Sequence, residues 1–369
     1  MSAAVASLRI CDVEMELSRQ MQGGKEPGDT HVQWARMANL VIFCDQAETA
    51  ASLSKVIPAI VELHPSRVLL LAPQTASEPC EIGAEVAVWC QRQRGGPKIC
   101  CEQVTLRAGG SAVERLPFVV RGLVIGDLPT NICWLSTLPP PLAGPFLSEL
   151  SEHAEQVVYD SIGWHEPPRG VAATAEWLST FERSRDGKWR VASDLNWRRL
   201  KYWRRLSAQA LDPATAPGAL ESITEIAIDH GPHAVVQAWL LASWLISRLG
   251  WRVQSGRMQV GVAIDWKLAA KHGPVRVVLN RLHEGASEVR RMRVVCKLNG
   301  RPSALLFTVP EKDRLAVVPE DNTAAPRTLT APSPPLAELI ARQLSDRERD
   351  GVFRQSMATA LELARSVLE

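Results

Sequence analysis

The chain has 369 residues, 46% apolar and 22% charged, with a net charge of +2. That length suits two domains or one large domain with additions, and the composition suits a soluble globular protein. A near-neutral balance leaves no global basic field for nucleic acid.

The opening "MSAAVASLRICDVEMEL" meets Asp12, Glu14 and Glu16 before any useful apolar core develops, so it does not read as a secretory signal. Residues 9–22 predict a short amphipathic helix with Val13, Leu17 and Met21 on one face. "GGKEPGD" then breaks the chain. "ANLVIFC" (38–44) is a continuous apolar run of strand length, and the segment after Asp45 reads as a helix bent or restarted at Pro58. "SRVLLLAP" (66–73) is a second buried strand. "EIGAEVAVWCQRQ" and "ICCEQVTLRA" predict two longer strands separated by "RGGP". "SAVERLPFVVRGLVI" is helical in pattern, "TNICWLS" a strand, "PFLSELSEHA" a helix and "QVVYDS" a strand. Apolar strands alternating with helices point to an α/β fold, a mostly parallel sheet flanked by helices.

Helices are expected at 170–183, 196–211 and 232–249. The last contains the longest near-apolar run, Ala234 to Ser247, which is too short to span a bilayer and reads as a buried helix. Four strand-like runs follow, "RMQVGVAIDW", "PVRVVLNRL", "VRRMRVVCKL" and "SALLFTV", suggesting an antiparallel sheet. Six prolines between Val309 and Leu336 suggest a linker or an extended cover, and the chain closes in helices. The expected organisation is an α/β domain over 1–164, a helix-rich α+β domain over 165–308, and a Pro-rich linker with C-terminal helices over 309–369. A cytoplasmic protein without membrane or nucleic-acid partners is expected.

Eight cysteines lie at 11, 44, 80, 90, 100, 101, 133 and 296, none in a CxxC pair or at zinc-finger spacing. Reduced structural thiols are the expectation, with Cys100 and Cys101 on opposite faces of a strand. The first strand ends "FCDQAETAAS", without the glycines that a phosphate-binding turn needs, and "GGK" at 23–25 precedes that strand. No cofactor is therefore expected. Neither HExxH nor GxSxG occurs. Glu225, Asp229, His230 and His233 come closest to a metal set, but they read better as a strand end and a turn before a helix starting near Pro232. Asp160-Ser161 follows a strand at the rim where open α/β sheets bind ligands, and would anchor a rival reading as an enzyme acting on a sugar phosphate.

The most unusual stretch is "DLNWRRLKYWRRLSAQALD", from Asp194 to Asp212. On a helix starting near Asn196, the residues Trp197, Leu200, Trp203, Leu206, Ser207 and Ala210 form one face, with Asp194 as N-cap. Arg198, Arg199, Lys201, Arg204 and Arg205 occupy much of the rest. With Arg183, Arg185, Lys188 and Arg190 they make nine basic residues against two acidic ones between 183 and 205. Trp and Arg are enriched at protein-binding hot spots.

"DLNWRRLKYWR" is similar to the Asp-Leu-x-Trp-x-Arg-Leu-x-x-Trp-Arg stretch of the glucose-6-phosphate dehydrogenase assembly protein family, OpcA. "DVEMELSRQM" and "ARMANLVIFC" resemble the family's opening helix and first strand, and "NICWLSTLPPP" with "FLSELSEHAEQVVYDS" its central block. "AVVQAWLLASWLISRLGW" and "GVFRQSMATAL" resemble its later helices. The resemblance implies a non-catalytic assembly factor and allosteric activator of glucose-6-phosphate dehydrogenase, promoting the oxidative pentose phosphate pathway. Arg198, Arg199, Lys201, Arg204 and Arg205 are then the candidate partner contacts. The redox control that the family shows in cyanobacteria is not carried over, because no cysteine follows Cys296.

Overall fold

The run "ANLVIFC" is buried at all seven positions, which suits a strand covered on both faces. The structure, a computed structural model, describes residues 8–23, 32–34, 36–74, 81–92, 98–182, 190–298, 300–321 and 324–369. In chain order its first part holds α1 (Val13–Gly23), β1 (Val32–Trp34), β2 (Ala38–Cys44), α2 (Ala47–Leu63), β3 (Ser66–Pro73), β4 (Ile82–Arg92) and β5 (Lys98–Ala108). There follow α3 (Leu116–Leu123), β6 (Thr130–Leu135), α4 (Pro145–Leu150), β7 (Gln156–Tyr159), α5 (Pro167–Phe181), β8 (Val191–Asp194), α6 (Leu195–Arg199) and α7 (Lys201–Ala210).

Among the described residues these strands form one sheet in the order β5-β3-β2-β6-β7-β8, parallel throughout. β4 pairs antiparallel with β5 at the edge, and β1 runs beside the start of β5. Counting parallel strands along the chain, the spatial order is third, second, first, fourth, fifth, sixth, which is the doubly wound order. Alternation sorts the side chains. Val41, Phe43, Leu69, Leu71, Trp134 and Tyr159 face α1, α3, α4 and α5. Leu40, Ile42, Val68, Leu70 and Cys133 face the other way, towards Leu53 and Ile57 of α2. Phe43 and Trp134, opposite each other on β2 and β6, stack at 4.2 Å between ring centroids.

The second part holds β9 (Glu225–His230), α8 (Val235–Leu249), β10 (Arg252–Gln259), β11 (Ala263–Ala270), β12 (Gly273–Arg281), β13 (Val289–Leu298), β14 (Arg301–Glu311), β15 (Arg314–Pro319), β16 (Arg327–Thr330), α9 (Leu336–Ser345) and α10 (Gly351–Leu368). Its sheet runs β10-β11-β12-β9-β13-β14-β15-β16, antiparallel except where β9 meets β12. α8 and α10 pack on its inner face. Trp239 of α8 meets Trp266 of β11 edge-on at 4.8 Å, and the Trp266 indole N–H donates to the Leu363 carbonyl at 3.2 Å.

Several expectations change in detail. "RMQVGVAIDW" is not one strand but a hairpin, β10 and β11, turning at Gly261 (φ 73°). The apolar/polar alternation carries on through the turn and so hides it. The Pro-rich stretch after Val309 supplies β15 and β16, at the edge of the sheet where missing N–H groups are tolerated. β8 extends the first sheet past residue 164, and α9 returns to cover it, with Leu339, Ile340 and Leu344 packed beside α2. The expectation of reduced thiols fails at one pair: antiparallel register sets Cys90 opposite Cys100, and the two are disulfide-bonded. Cys101 points to the other face, into the core beneath α2. Cys80, Arg183, Arg185, Lys188 and Trp189 lie outside the described residues.

Since Ile340 is fully buried against the first sheet, Ile340→Ala is expected to lower stability by about 2–4 kcal/mol, read from urea unfolding. An effect below about 0.5 kcal/mol would mean that α9 is not part of this core.

Candidate functional site

In a doubly wound sheet, ligands bind at the carboxyl ends of the strands where the order reverses, here between β2 and β6. The residue after β2 is Asp45. Its Oδ2 accepts from the Ser136 hydroxyl at 2.7 Å, the Thr137 N–H at 3.0 Å and the Thr137 hydroxyl at 3.1 Å. A dinucleotide would bring its pyrophosphate to glycine amides at the start of α2. Instead a carboxylate stitches the β2 end to the loop after β6, and α2 starts at Ala47 behind Gln46, whose side chain makes no cap. The charge of Asp45 opposes a phosphate there. The residues at this crevice do not fit a dinucleotide.

The next strand ends carry a buried polar cluster. Arg199 grips Asp160 with two bonds, Nη1 to Oδ1 at 2.7 Å and Nη2 to Oδ2 at 2.8 Å. Asn196 accepts from Arg199 Nη1 at 2.9 Å and donates to the Ser161 hydroxyl at 3.0 Å. Asp194 caps α6 as expected, Oδ1 accepting from the Asn196 N–H at 2.8 Å and the Ser161 N–H at 3.3 Å. Burial, with Asp160 adding repulsion against the hydrogen bonds, pushes the Asp194 carboxyl up to about 7. Asp160, on which the sugar-phosphate reading rests, has both oxygens committed to Arg199.

The basic stretch divides into inward and outward residues. Arg204 lies over the Trp197 ring at 3.5 Å and donates to the Trp197 carbonyl at 2.8 Å. Burial lowers its pKa to about 10, opposed by Asp350. The Trp197 indole N–H donates at 2.7 Å to Asp350, which also caps α10. Arg198 reaches α9, donating to Gln343 at 2.8 Å and pairing with Asp346 at 2.9 Å. Lys201 and Arg205 are exposed. The helix breaks at Leu200, giving two short helices where one was expected. Sequence reasoning missed Gln343, Asp346 and Asp350, whose chain separation from Trp197 and Arg198 leaves no local signal.

Beside α6 and α7 opens a cleft of about 600 Å³, bounded on the far side by the β14–β15 turn and the segment after β16. Arg198, Arg199 and Arg342 line one wall, each held by a carboxylate: Asp346, Asp160 and Glu338. Arg290 pairs with Glu288 at 2.6 Å, and Arg314 with Glu311 at 3.4 Å. At the turn, Asp313 (φ 60°) accepts from the Ser333 N–H at 2.8 Å, holding the Pro-rich segment in place. Among the described residues Lys201 and Lys312, on opposite walls, have no carboxylate partner. The residues considered for a metal are separated by strand alternation. Glu225 and Asp229 face outward from β9, where Asp229 binds Arg291 and Asn280 at 2.6 and 2.9 Å, while His230 faces inward.

Two family models match the chain in order. Residues 58–176 match the glucose-6-phosphate dehydrogenase subunit N-terminal domain of OpcA, and residues 190–357 match its C-terminal domain. The chain belongs to the OpcA family. A relative from Nostoc punctiforme with the provisional name OxPP cycle protein OpcA is 32% identical over 209 residues, covering 56% of this chain and 43% of the relative. A Synechocystis relative of the same name is 31% identical over 213 residues, 57% of this chain and 42% of the relative. The chain thus spans less than half the length of the curated relatives it matches. In fold it is similar to an oxidoreductase from Sinorhizobium meliloti, at a TM-score of 0.51 and 10% identity, over 90% of this chain and 96% of that one. That likeness concerns the fold, over both sheets, and says nothing of activity.

Asp194 gives the site a pH signature. Its folded pKa of about 7 lies above the unfolded value of about 3.9. Between these values the folded state keeps a proton that the unfolded state has lost, so stability falls as pH rises through this window. Asp194→Asn keeps the acceptor and removes the charge. Its urea midpoint is expected to match or exceed the parent's at about pH 8 and to lose this pH slope. Asp194→Ala, lacking the cap, is expected to cost about 1 kcal/mol relative to Asp194→Asn.

Proposed function

We propose that the protein is a non-catalytic assembly factor that binds glucose-6-phosphate dehydrogenase in the cytoplasm and shifts it towards its active form. The observation that carries this reading is the pair of subunit-domain matches, which run in order over residues 58–176 and 190–357. Asp45 in the dinucleotide crevice and Asp160 locked to Arg199 support a scaffold over an enzyme. The contact face is proposed on the outward side of α7, at Lys201 and Arg205, while Arg198, Arg199 and Arg204 act from within by fixing that helix. An activator works by binding the active form more tightly than the inactive one. A tenfold shift in apparent substrate affinity asks for about 1.4 kcal/mol of coupling, which a few Lys and Arg contacts can supply.

The test is a glucose 6-phosphate saturation curve of the dehydrogenase from the same organism, with and without this protein, together with co-elution on a sizing column. Co-elution and a lower KM or higher kcat are expected. Lys201→Glu plus Arg205→Glu is expected to weaken the complex about tenfold. Activation that survives the double variant would move the interface elsewhere. Turnover of phosphosugars by this protein alone would overturn the assembly reading in favour of an enzyme.

A further inference from the structure

Gln237 lies in the first turn of α8, is 3% exposed, and lines the cleft beside α6 and α7. Its Oε1 accepts the Val289 N–H at 2.7 Å. That bond settles which end of the amide is which, and so which end remains. The Nε2 donor has no hydrogen-bond partner among the described residues. Gln237 lines the cleft, where this donor is open to an acceptor. Lys201 and Lys312 add two cations from opposite walls, neither paired with a carboxylate among the described residues.

We infer that this cleft binds a small phosphomonoester of phosphosugar size. The donors and cations match a dianion with several acceptor oxygens. A cleft of about 600 Å³ is too roomy for a lone ion and within the range of small-molecule sites. Tyr202, Val309 and Pro332 give it neutral walls against which a sugar ring can lie. The carboxylates at its edge are already engaged, Glu288 and Glu311 by arginines and Asp313 by the Ser333 amide. Because α6, α7 and the β14–β15 turn all contribute, a bound ligand would bridge the first sheet's strand-end helices to the second sheet.

The inference does not rest on the assembly reading, since it is tested without the dehydrogenase. The full chain is titrated calorimetrically with glucose 6-phosphate, inorganic phosphate and glucose. Glucose 6-phosphate is expected to bind with Kd on the order of 0.1–1 mM, phosphate at least about tenfold more weakly, and glucose not at all. Gln237→Glu keeps an oxygen for the Val289 amide and puts a second carboxylate oxygen where the donor stood. It is expected to weaken glucose 6-phosphate binding by at least about 30-fold. Lys312→Gln, on an exposed turn, is expected to weaken it about three- to tenfold. No binding at ~10 mM would overturn the proposal. So would equal affinity for phosphate and glucose 6-phosphate, or an unchanged affinity in a folded Gln237→Glu. If Gln237→Glu does not fold, Lys312→Gln decides alone, and unchanged affinity there overturns it.

Discussion

Asp160, just past the end of β7, is 7% exposed, and a buried carboxylate is stable only when a partner matches it. That partner is Arg199, and satisfying it fixes much else. Arg199 must stand at the end of α6, so the chain leaving β8 must turn at once into a helix, which Asp194 caps. Asn196 and Ser161 fill the remaining positions around the pair. α7 follows after the break at Leu200, and its Arg204 closes over Trp197. From there Asp350 ties the assembly to the start of α10. A single charge pair thus places the helices that form one wall of the cleft.

The crevice at the β2–β6 switch point shows how a doubly wound sheet can keep its topology while giving up the usual ligand. Only a few positions decide the matter. Asp45 takes the place of the glycine turn and is stabilised by two hydroxyls and an amide from the neighbouring loop. The same hydrogen bonds would have to break for the crevice to open. Topology and chemistry are separable here because the strand interiors fix the first and the strand-end residues fix the second.

Much of the first sheet was legible because a strand buried on both faces is apolar at nearly every position, as "ANLVIFC" and "SRVLLLAP" are. The α6–α7 Trp face was legible for a similar reason: helical spacing predicts which side turns inward, and Trp197, Leu200, Trp203 and Leu206 are all buried. The destinations of the arginines were not. Arg198 and Trp197 find Asp346 and Asp350 only through the tertiary fold, and no local pattern signals a partner so distant in sequence. Alternation also gives no punctuation at Gly261, where the glycine's positive φ turns the chain back. The Cys90–Cys100 bond depends on strand register, which neither residue's neighbours disclose.

The two faces of the first sheet are completed at very different times in synthesis. β2, α2 and β3 leave the ribosome early, yet α9, which shares a face with α2, lies at Leu336–Ser345. At about 5–20 residues per second, more than ten seconds separate the two. During that interval Leu40, Ile42, Val68 and Leu70 have only part of their final cover. One face of the first sheet is therefore finished only when the C-terminal helices arrive, long after its strands have been made.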